Sequence, residues 1–273
     1  MTIYNKIETG KKYTESYKVF ITEDNKVVSP FHNIKLHPSE TKEVVRVVNE
    51  IPRFENAKFE INKSASLNCI TQDTKKGEMR FVSNVYPFKG YLWNYGALPQ
   101  TWEDKDEVCE YTKCKGDNDP LDVVDIGTRR KGVGEVYEAK VLGCLALIDD
   151  GECDWKIVVI DTKDRNASSI NDIEDVEKFF PGLLADTFKW FKVYKLPDGK
   201  PENIFGLNSE IQNKDFALEI IDNAHKSWKK LITHKHIKGI TFDEPIDVNI
   251  LDEKTEEGEV PLKVNEYFFL KKD

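Results

Sequence analysis

Three aspartates stand within six residues in the segment GDNDPLDVVDIG, which runs from Gly116 to Gly127. Asp117, Asp119 and Asp122 could serve a turn, because Asp, Asn and Pro all favour turns, or they could bind a metal ion. A calcium-binding EF-hand also begins with D-x-D, but it requires glycine at its sixth position and glutamate at its twelfth. Asp122 stands at the sixth position and no glutamate at the twelfth, which excludes the EF-hand. This segment alone leaves the turn and the metal site open.

A second acidic group is predicted at the end of a hairpin. In ALIDDGECDWKIVVI, the pair Asp150-Gly151 separates two apolar runs, which is a strong hairpin signal. Pairing the two strands brings Asp149 near Asp154. Side chains alternate between the two faces of a strand, so Asp154 and Lys156 point the same way. The hairpin therefore presents two carboxylates and an ammonium at one end.

A third charged group lies in NEIPRFENAKFEINK. The alternating apolar residues of AKFEI face the core, so Lys58 and Glu60 share the opposite face, and Glu50 precedes them. A surface strand with alternating charge is the ordinary interpretation of this pattern. Further along the chain, Arg80 begins a strand in KKGEMRFV, and Tyr194 and Lys195 end a helix in WFKVYKLPDGKPEN.

The residue types in these five segments indicate one kind of chemistry. Hard cations such as Mg²⁺ prefer oxygen ligands, so clustered carboxylates suit them. The segments contain no histidine, and Cys153 is their one cysteine, which counts against zinc. Carboxylates combined with Lys, Arg and Tyr are typical of a site that holds phosphate oxygens together with metal ions.

Composition limits the partners of the chain. Its 273 residues carry a net charge of -9 and a pI near 5.3, which disfavours binding to nucleic acid and to anionic membranes. Five cysteines without a CxxC spacing indicate reduced thiols rather than a disulfide framework. The first residues lack the apolar core of a secretory signal, and the apolar stretches are too short to span a bilayer. We expect a soluble, intracellular protein.

The order of elements predicts an α+β fold. The first two-thirds of the chain reads mainly as strands, and apolar residues at helical spacing follow at residues 173–180, 183–194 and 216–231, with Asn213 as a helix N-cap. We expect a small antiparallel barrel with helices packed outside it. Because neither an internal repeat nor a flexible linker divides the chain, we expect one domain over residues 1–273. In it, residues 1–45 and 235–273 would be peripheral.

These segments together resemble the soluble family I inorganic pyrophosphatases of the eukaryotic type. The resemblance covers about residues 13–231 and is carried by EIPRFENAKFEI, QDTKKGEMRFV, NYGALPQTWED, GDNDPLDV, DDGECDWK, NDIEDVEKFFPGLL and YKLPDGKPEN. It implies a five-stranded, OB-like barrel with flanking helices. The implied activity is Mg²⁺-dependent hydrolysis of pyrophosphate to two phosphates.

The resemblance also implies a role for each site residue. Asp117, Asp122 and Asp154 would bind one metal, and Asp122 would help to bind a second that shares a bridging water, whose proton Asp119 would accept. Asp149 and Asp154 would hold a third magnesium and Glu60 a fourth. The phosphate groups would contact Lys58, Arg80, Tyr194 and Lys195. Three further residues would support the site. Glu50 would lie with the metal ligands, and Tyr95 and Lys156 would lie with the catalytic residue Asp119.

Three to four Mg²⁺ ions, a homodimer and a cytoplasmic location complete these expectations. Two other functions are weighed against them. A two-metal phosphoesterase or nuclease also collects carboxylates, but the acidic composition disfavours a polymeric substrate. An OB-like binding module needs exposed aromatic residues beside basic grooves, whereas acidic residues dominate this face.

Overall fold

The computed structural model describes residues 3–234, 237–251 and 253–270. Its three α-helices confirm the helical segments predicted from the sequence: α1 Ile173–Phe179, α2 Leu183–Val193 and α3 Lys214–His234. The predicted cap of α3 is also present, because the side-chain oxygen of Asn213 accepts a hydrogen bond from the Phe216 N–H at 3.1 Å. None of these helices is long and apolar enough to cross a membrane.

Strands dominate the first 161 residues. Nineteen strands lie within the described residues. The first ten are β1 Tyr4–Lys11, β2 Lys18–Glu23, β3 Lys26–Val28, β4 Val44–Ile51, β5 Phe59–Ile61, β6 Ile70–Gln72, β7 Thr74–Lys75, β8 Glu78–Met79, β9 Asn84–Val85 and β10 Asn94–Ala97. The others are β11 Lys115–Gly116, β12 Asp122–Asp125, β13 Val136–Asp149, β14 Glu152–Asp161, β15 Ile204–Phe205, β16 Gln212–Asn213, β17 Ile246–Asp247, β18 Thr255–Glu256 and β19 Tyr267–Phe268.

Five of these strands close into a barrel in the order β13, β4, β10, β12, β14 and back to β13. This ring, with helices outside it, confirms the predicted α+β fold with a small barrel. One detail differs from the antiparallel barrel expected: β12 and β14 are parallel, while the other four pairs of the ring are antiparallel. The difference arises because β14 returns from its hairpin with β13 and lies directly beside β12.

The β13–β14 hairpin turns where the sequence predicts. Asp150 and Gly151 have φ values of 51° and 90°, and Asp149 pairs with Glu152 across the turn. Positive φ at both central residues matches the twist of the two strands, and glycine adopts it without steric cost. The hairpin thereby fixes which residues of β14 face the barrel interior.

The peripheral strands form a second sheet from both ends of the described chain. Strands β1, β2 and β3 are consecutive in it, β17 pairs with β3, and β18 pairs with β1. Strand β5 joins this sheet through β6. The segment that carries Lys58 and Glu60 is therefore held against the barrel by a separate sheet.

Candidate active site

One cavity of about 150 Å³ brings together all of the site residues predicted from the sequence. Its wall includes Glu50, Lys58, Glu60, Arg80, Tyr95, Asp117, Asp119, Asp122, Asp149, Asp154, Lys156, Tyr194 and Lys195. These residues come from segments that are up to 145 positions apart in the chain, from Glu50 to Lys195. The fold therefore assembles in one place what the sequence presents as separate charged segments.

The barrel strands position the centre of this cavity. Asp122 begins β12 and pairs in register with Lys156 on the parallel strand β14. The Lys156 ammonium donates to Asp122 at 2.5 Å and also to Asp154, two residues earlier on the same face of β14. The Tyr95 hydroxyl, from β10, donates to the same oxygen of Asp122 at 2.5 Å. Two barrel strands thus fix the orientation of the Asp122 carboxylate.

The aspartate loop before β12 is shaped by its own polar groups. Asp117 accepts a hydrogen bond from the Asp119 N–H at 2.9 Å, and Asn118 between them has a φ of 72°. Gly116 packs so closely on the chain at Glu103 that a Cβ there would lie 2.4 Å from the Glu103 carbonyl carbon. Turn chemistry and a functional site therefore coexist in this segment, since the turn aims its carboxylates into the cavity.

Glu103 is a buried carboxylate beside the cavity that sequence reasoning missed. Only 6% exposed, it accepts a hydrogen bond from the Trp155 N–H at 3.2 Å through Oε1. Its other oxygen, Oε2, is buried without a partner among the described residues. Carboxylate oxygens of Glu103, Asp117 and Asp154 all lie within 4.8 Å of one another. The one feature of the sequence that could have identified Glu103 is its place in the motif NYGALPQTWED. Its acidic neighbours suggest an ordinary solvated loop.

Cations line another part of the wall. The Arg80 guanidinium donates to Asp73 at 2.8 Å, and Lys58 pairs with Glu60 and lies 3.5 Å from Asp73. Sequence reasoning also missed Asp73, which orients both cations. The residues Tyr194 and Lys195 follow α2 directly.

The Tyr194 hydroxyl donates to Asp149 at 2.9 Å, and the Lys195 ammonium pairs with the same carboxylate. The hairpin and the end of α2 therefore meet at Asp149.

Glu50 occupies a more enclosed position. Its carboxylate accepts a hydrogen bond from the Ile61 N–H at 2.6 Å, which ties β5 to the barrel strand β4. Burial and the nearby Asp122 charge raise the pKa of Glu50 well above its usual range. Glu50 lies on the cavity wall but outside the closest group of three carboxylates.

Crowding of buried carboxylates perturbs the electrostatics of the cavity. Burial, reinforced by neighbouring carboxylates, raises the pKa values of Asp117 and Glu103 well above their usual range. Burial raises the pKa of Asp154 to about 7, although Lys156 opposes the shift. Burial also raises the pKa of Asp119 against the opposing charge of Lys63. These groups lack enough positive charge nearby to hold all of them ionised.

Comparison with known proteins identifies the family. A model of the family described as inorganic pyrophosphatase matches residues 47–229. The inorganic pyrophosphatase of Encephalitozoon cuniculi (strain GB-M1) is 54% identical over 277 residues, which cover 99% of this chain and 100% of the relative. This chain belongs to the inorganic pyrophosphatase family. It is therefore an enzyme of the hydrolase class.

Solved structures of inorganic pyrophosphatases share the fold. The inorganic pyrophosphatase of Schistosoma japonicum superposes with a TM-score of 0.88 at 39% identity, covering 98% of this chain and 100% of the other. A vacuolar soluble pyrophosphatase of Trypanosoma cruzi, truncated in its N-terminal domain and in complex with PPi, gives a TM-score of 0.78 at 40% identity. That match covers 85% of this chain and 92% of the other.

Membership in the inorganic pyrophosphatase family implies a divalent metal cofactor, and carboxylates on the cavity wall and directly beside it fit one. Glu103, Asp117 and Asp154 offer oxygen donors close enough to share one ion, and Glu103 Oε2 is a buried acceptor without a partner in the described chain. A divalent cation would supply the positive charge that this group lacks. The donor set contains neither His nor Cys, so it favours a hard cation.

Proposed function

We propose that the chain hydrolyses pyrophosphate to two phosphates by direct attack of water, with Mg²⁺ as its cofactor. The observation that carries this proposal is the pairing of a carboxylate cluster with Lys58, Arg80 and Lys195 in one cavity. Pyrophosphate is a compact anion with many oxygens, so it needs cations on one side and metal-binding carboxylates on the other. The Trypanosoma cruzi relative, solved in complex with PPi, supports the choice of substrate.

The cationic wall would bind the phosphoryl oxygens. Asp73 holds the guanidinium of Arg80 at 2.8 Å, so its fork is oriented before the substrate arrives. Burial alone would lower the pKa of Arg80, but the Asp73 hydrogen bond raises it above its usual value. Burial would likewise lower the pKa of Lys58, but the charge of Glu60 outweighs burial and raises it above its usual value. Both groups thus stay charged in a partly dry site, where they bind anions strongly.

The carboxylates would hold the metal. We assign Asp117, Asp122 and Asp154 to the first ion, with Asp122 shared with a second. Asp149 and Asp154 are assigned to a third ion and Glu60 to a fourth, with Glu50 beside the metals. Glu103 joins Asp117 and Asp154, because carboxylate oxygens of the three lie within 4.8 Å of one another and Glu103 Oε2 is buried without a partner among the described residues. Bound Mg²⁺ neutralises phosphate charge and makes water more acidic. Three to four ions per chain are the number that we propose from the family resemblance.

Asp119 would take the proton of the attacking water. Its carboxylate lies on the cavity wall and is held by Lys63 at 2.5 Å, so it is fixed in position and stays separate from the carboxylates assigned to the metal. Tyr95 and Lys156 would act by orienting Asp122 and Asp154. Because none of these steps requires a covalent intermediate, a serine or cysteine nucleophile is unnecessary.

Substrate selectivity tests the proposal. The experiment compares phosphate release from pyrophosphate, a nucleoside triphosphate, a phosphomonoester and a phosphodiester, each with Mg²⁺. We expect pyrophosphate to exceed the others in kcat/KM by at least about 100-fold, because the cavity of about 150 Å³ leaves little room for an organic substituent. Preferential cleavage of the phosphodiester or the phosphomonoester would instead establish the phosphoesterase.

Location, assembly and domain organisation are further parts of the proposal. Five free thiols within the described residues support the reducing cytoplasm. Exposed aromatic side chains at Tyr86, Tyr267 and Phe269, with Tyr86 and Phe269 stacked at 5.1 Å, support a contact surface for a homodimer. Residues 1–273 would form one domain. Residues 235, 236, 252 and 271–273, within the predicted C-terminal extension, lie outside the described residues.

A further inference from the structure

A segment that is distant in sequence from the barrel reaches the rim of the active site. Residues 261–270, named here the C-terminal strap, include the strand β19, which pairs in parallel with β9. The Tyr86 N–H donates to the Phe268 carbonyl at 2.9 Å just beyond this pair. The strap therefore lies against the part of the chain that follows Arg80.

One buried side chain anchors the strap. Asn84 is 1% exposed, and its amide nitrogen donates to the Val264 carbonyl at 2.8 Å and to the Glu266 carbonyl at 3.2 Å. Its amide oxygen accepts hydrogen bonds from the Asn56 amide at 2.8 Å and from the Gly90 N–H at 2.9 Å. An asparagine amide offers two donors and one oxygen with two lone pairs, so its whole capacity is used. Releasing the strap would leave buried polar groups unpaired, which is costly.

The same network continues to the cationic wall of the active site. The Asn56 amide also donates to the Val82 carbonyl at 2.7 Å, and the Val82 N–H donates to the Asn56 carbonyl at 2.7 Å. Two residues further along these antiparallel segments, the Lys58 N–H donates to the Arg80 carbonyl at 3.1 Å. The backbone that carries the two phosphate-binding cations is therefore continuous with the backbone that Asn84 ties to the strap.

The strap also forms part of the space on the outer side of Arg80. A cavity of about 690 Å³ adjoins the active-site cavity, and Arg80 and Tyr194 line both. The strap contributes to the wall of the larger cavity through Lys263, Val264, Glu266, Tyr267 and Phe268. Without the strap, the segment that carries Arg80 would have more freedom to move on this side.

We propose that Asn84 is a positioning residue for pyrophosphate binding, through which the C-terminal strap holds Arg80 and Lys58 in place. Asn84 lies behind these two cations and acts through their backbone. A displacement of roughly 1 Å in such a group can cost on the order of 100-fold in rate. The pair between Lys263 and Glu78, at 3.2 Å, is largely exposed and contributes little, so buried contacts carry the attachment. This role rests on the proposed function.

Two variants loosen the strap in different ways. Asn84→Asp keeps an oxygen for Asn56 and Gly90, but its second oxygen would repel the strap carbonyls that the amide nitrogen now holds. Val264→Ala removes buried contacts of the strap without adding a charge, because Val264 is 7% exposed, and it carries the test if Asn84→Asp does not fold. Val260→Ala, the same change at a side chain 37% exposed just before the strap, is the matched control.

The first measurement is steady-state hydrolysis of magnesium pyrophosphate by the full-length chains. We expect kcat/KM to fall by about tenfold or more in Asn84→Asp and by about threefold in Val264→Ala, and to stay unchanged in Val260→Ala. Mg²⁺ affinity without pyrophosphate should stay within about twofold of wild type, because the strap is tied to the cations rather than to the metal-binding carboxylates. In an Arg80→Lys background, Asn84→Asp should cost less than about threefold, since both changes act on the same group.

The second measurement is hydrogen exchange at the Tyr86 N–H, which reports the attachment of the strap because it donates to the Phe268 carbonyl. Without ligand, we expect exchange to be at least about tenfold faster in Asn84→Asp than in wild type. Imidodiphosphate with Mg²⁺, an analogue of pyrophosphate, should slow this exchange in wild type and have a smaller effect in Arg80→Lys. The reason is that coupling between two sites acts in both directions.

Two results would overturn the role of Asn84. One is wild-type kcat/KM in a folded Asn84→Asp chain, or in Val264→Ala if Asn84→Asp does not fold. The other is a loss of equal size in the wild-type and Arg80→Lys backgrounds, which would indicate general destabilisation. Failure of the proposed function looks different, because the wild type itself then releases no phosphate, while exchange at Tyr86 without ligand still shows whether Asn84 anchors the strap.

Discussion

The ammonium of Lys63 lies 2.5 Å from a carboxylate oxygen of Asp119 and donates to the Asn118 carbonyl at 2.8 Å. A single side chain thus holds both the backbone and the carboxylate of the aspartate loop. Lys63 comes from the loop after β5, so this contact joins the peripheral sheet to the barrel. We infer that Lys63 is a positioning residue for Asp119.

Replacing Lys63 with methionine should lower kcat by about tenfold or more with little change in KM, because Asp119 loses the group that fixes it. Asp119→Asn should lower kcat by about 100-fold, the usual scale for loss of a general base. The double variant should be no slower than Asp119→Asn alone, since Lys63 acts through Asp119. Lys192→Met, which removes a surface pair with Glu202, is the control. Fully additive effects would contradict the positioning role.

Glu103→Gln should weaken Mg²⁺ binding by about 10- to 100-fold, the range found when a supporting group of a metal site is lost. Without divalent metal, the same variant should be at least as stable as the wild type, because a buried carboxylate beside Asp117 and Asp154 is removed and the Trp155 hydrogen bond can be kept. Mg²⁺ titration and thermal unfolding in chelator measure both effects.

Glu107→Gln, at an exposed pair with Lys230, is the control. Unchanged Mg²⁺ affinity in Glu103→Gln would remove Glu103 from the metal site.

Arg80→Lys should lower kcat/KM for pyrophosphate by about tenfold or more. Lysine keeps the charge but lacks the planar fork, and the loss of one charged hydrogen bond costs about 1.5–3 kcal/mol. Steady-state kinetics measure the effect, and Arg130→Lys, at an exposed pair with Glu55, is the matched control. If both variants match the wild type, Arg80 does not contact the substrate.

Sequence patterns predicted the parts of the fold that depend on local chemistry. Asp150-Gly151 determined the hairpin, and Asn213 marked the start of α3, because turn and cap residues act over a few positions. The parallel pairing of β12 with β14 was not predictable in this way. The pairing depends on how a hairpin folds back beside a distant strand. The apolar sequences of the two strands are equally compatible with parallel and antiparallel pairing.

The candidate site shows the same division. The predicted residues all line one cavity. They could be found from the sequence because their types and motifs are distinctive, but their individual roles remain predictions. Glu103 and Asp73 were not predicted, because each stands among charged residues of a kind that usually lie on a protein surface. Their importance follows from three-dimensional contacts, namely the approach of Gly116 to Glu103 and the bond from Arg80 to Asp73.

Calcium should bind and inhibit. The carboxylate oxygens of Asp117, Asp122, Asp149 and Asp154 cannot exclude Ca²⁺ by chemical type. However, Ca²⁺ takes 6–8 ligands at about 2.3–2.6 Å, whereas Mg²⁺ takes an octahedron at about 2.0–2.1 Å. We expect hydrolysis at fixed Mg²⁺ to fall as free Ca²⁺ rises and to recover when Mg²⁺ is added in excess. Full activity with Ca²⁺ as the sole divalent ion would refute a dependence on magnesium geometry.

Phosphate release from pyrophosphate, measured with the purified chain while free Mg²⁺ is raised from zero in a chelating buffer, tests the proposed activity most directly. We predict two phosphates per pyrophosphate, a rate that rises with Mg²⁺ and saturates, and negligible release in excess chelator that is restored by Mg²⁺. Asp119→Asn, purified in parallel, should release phosphate about 100-fold more slowly and so exclude a contaminating enzyme. A folded wild type that releases no phosphate with Mg²⁺, or releases it equally fast in chelator, would contradict the proposal.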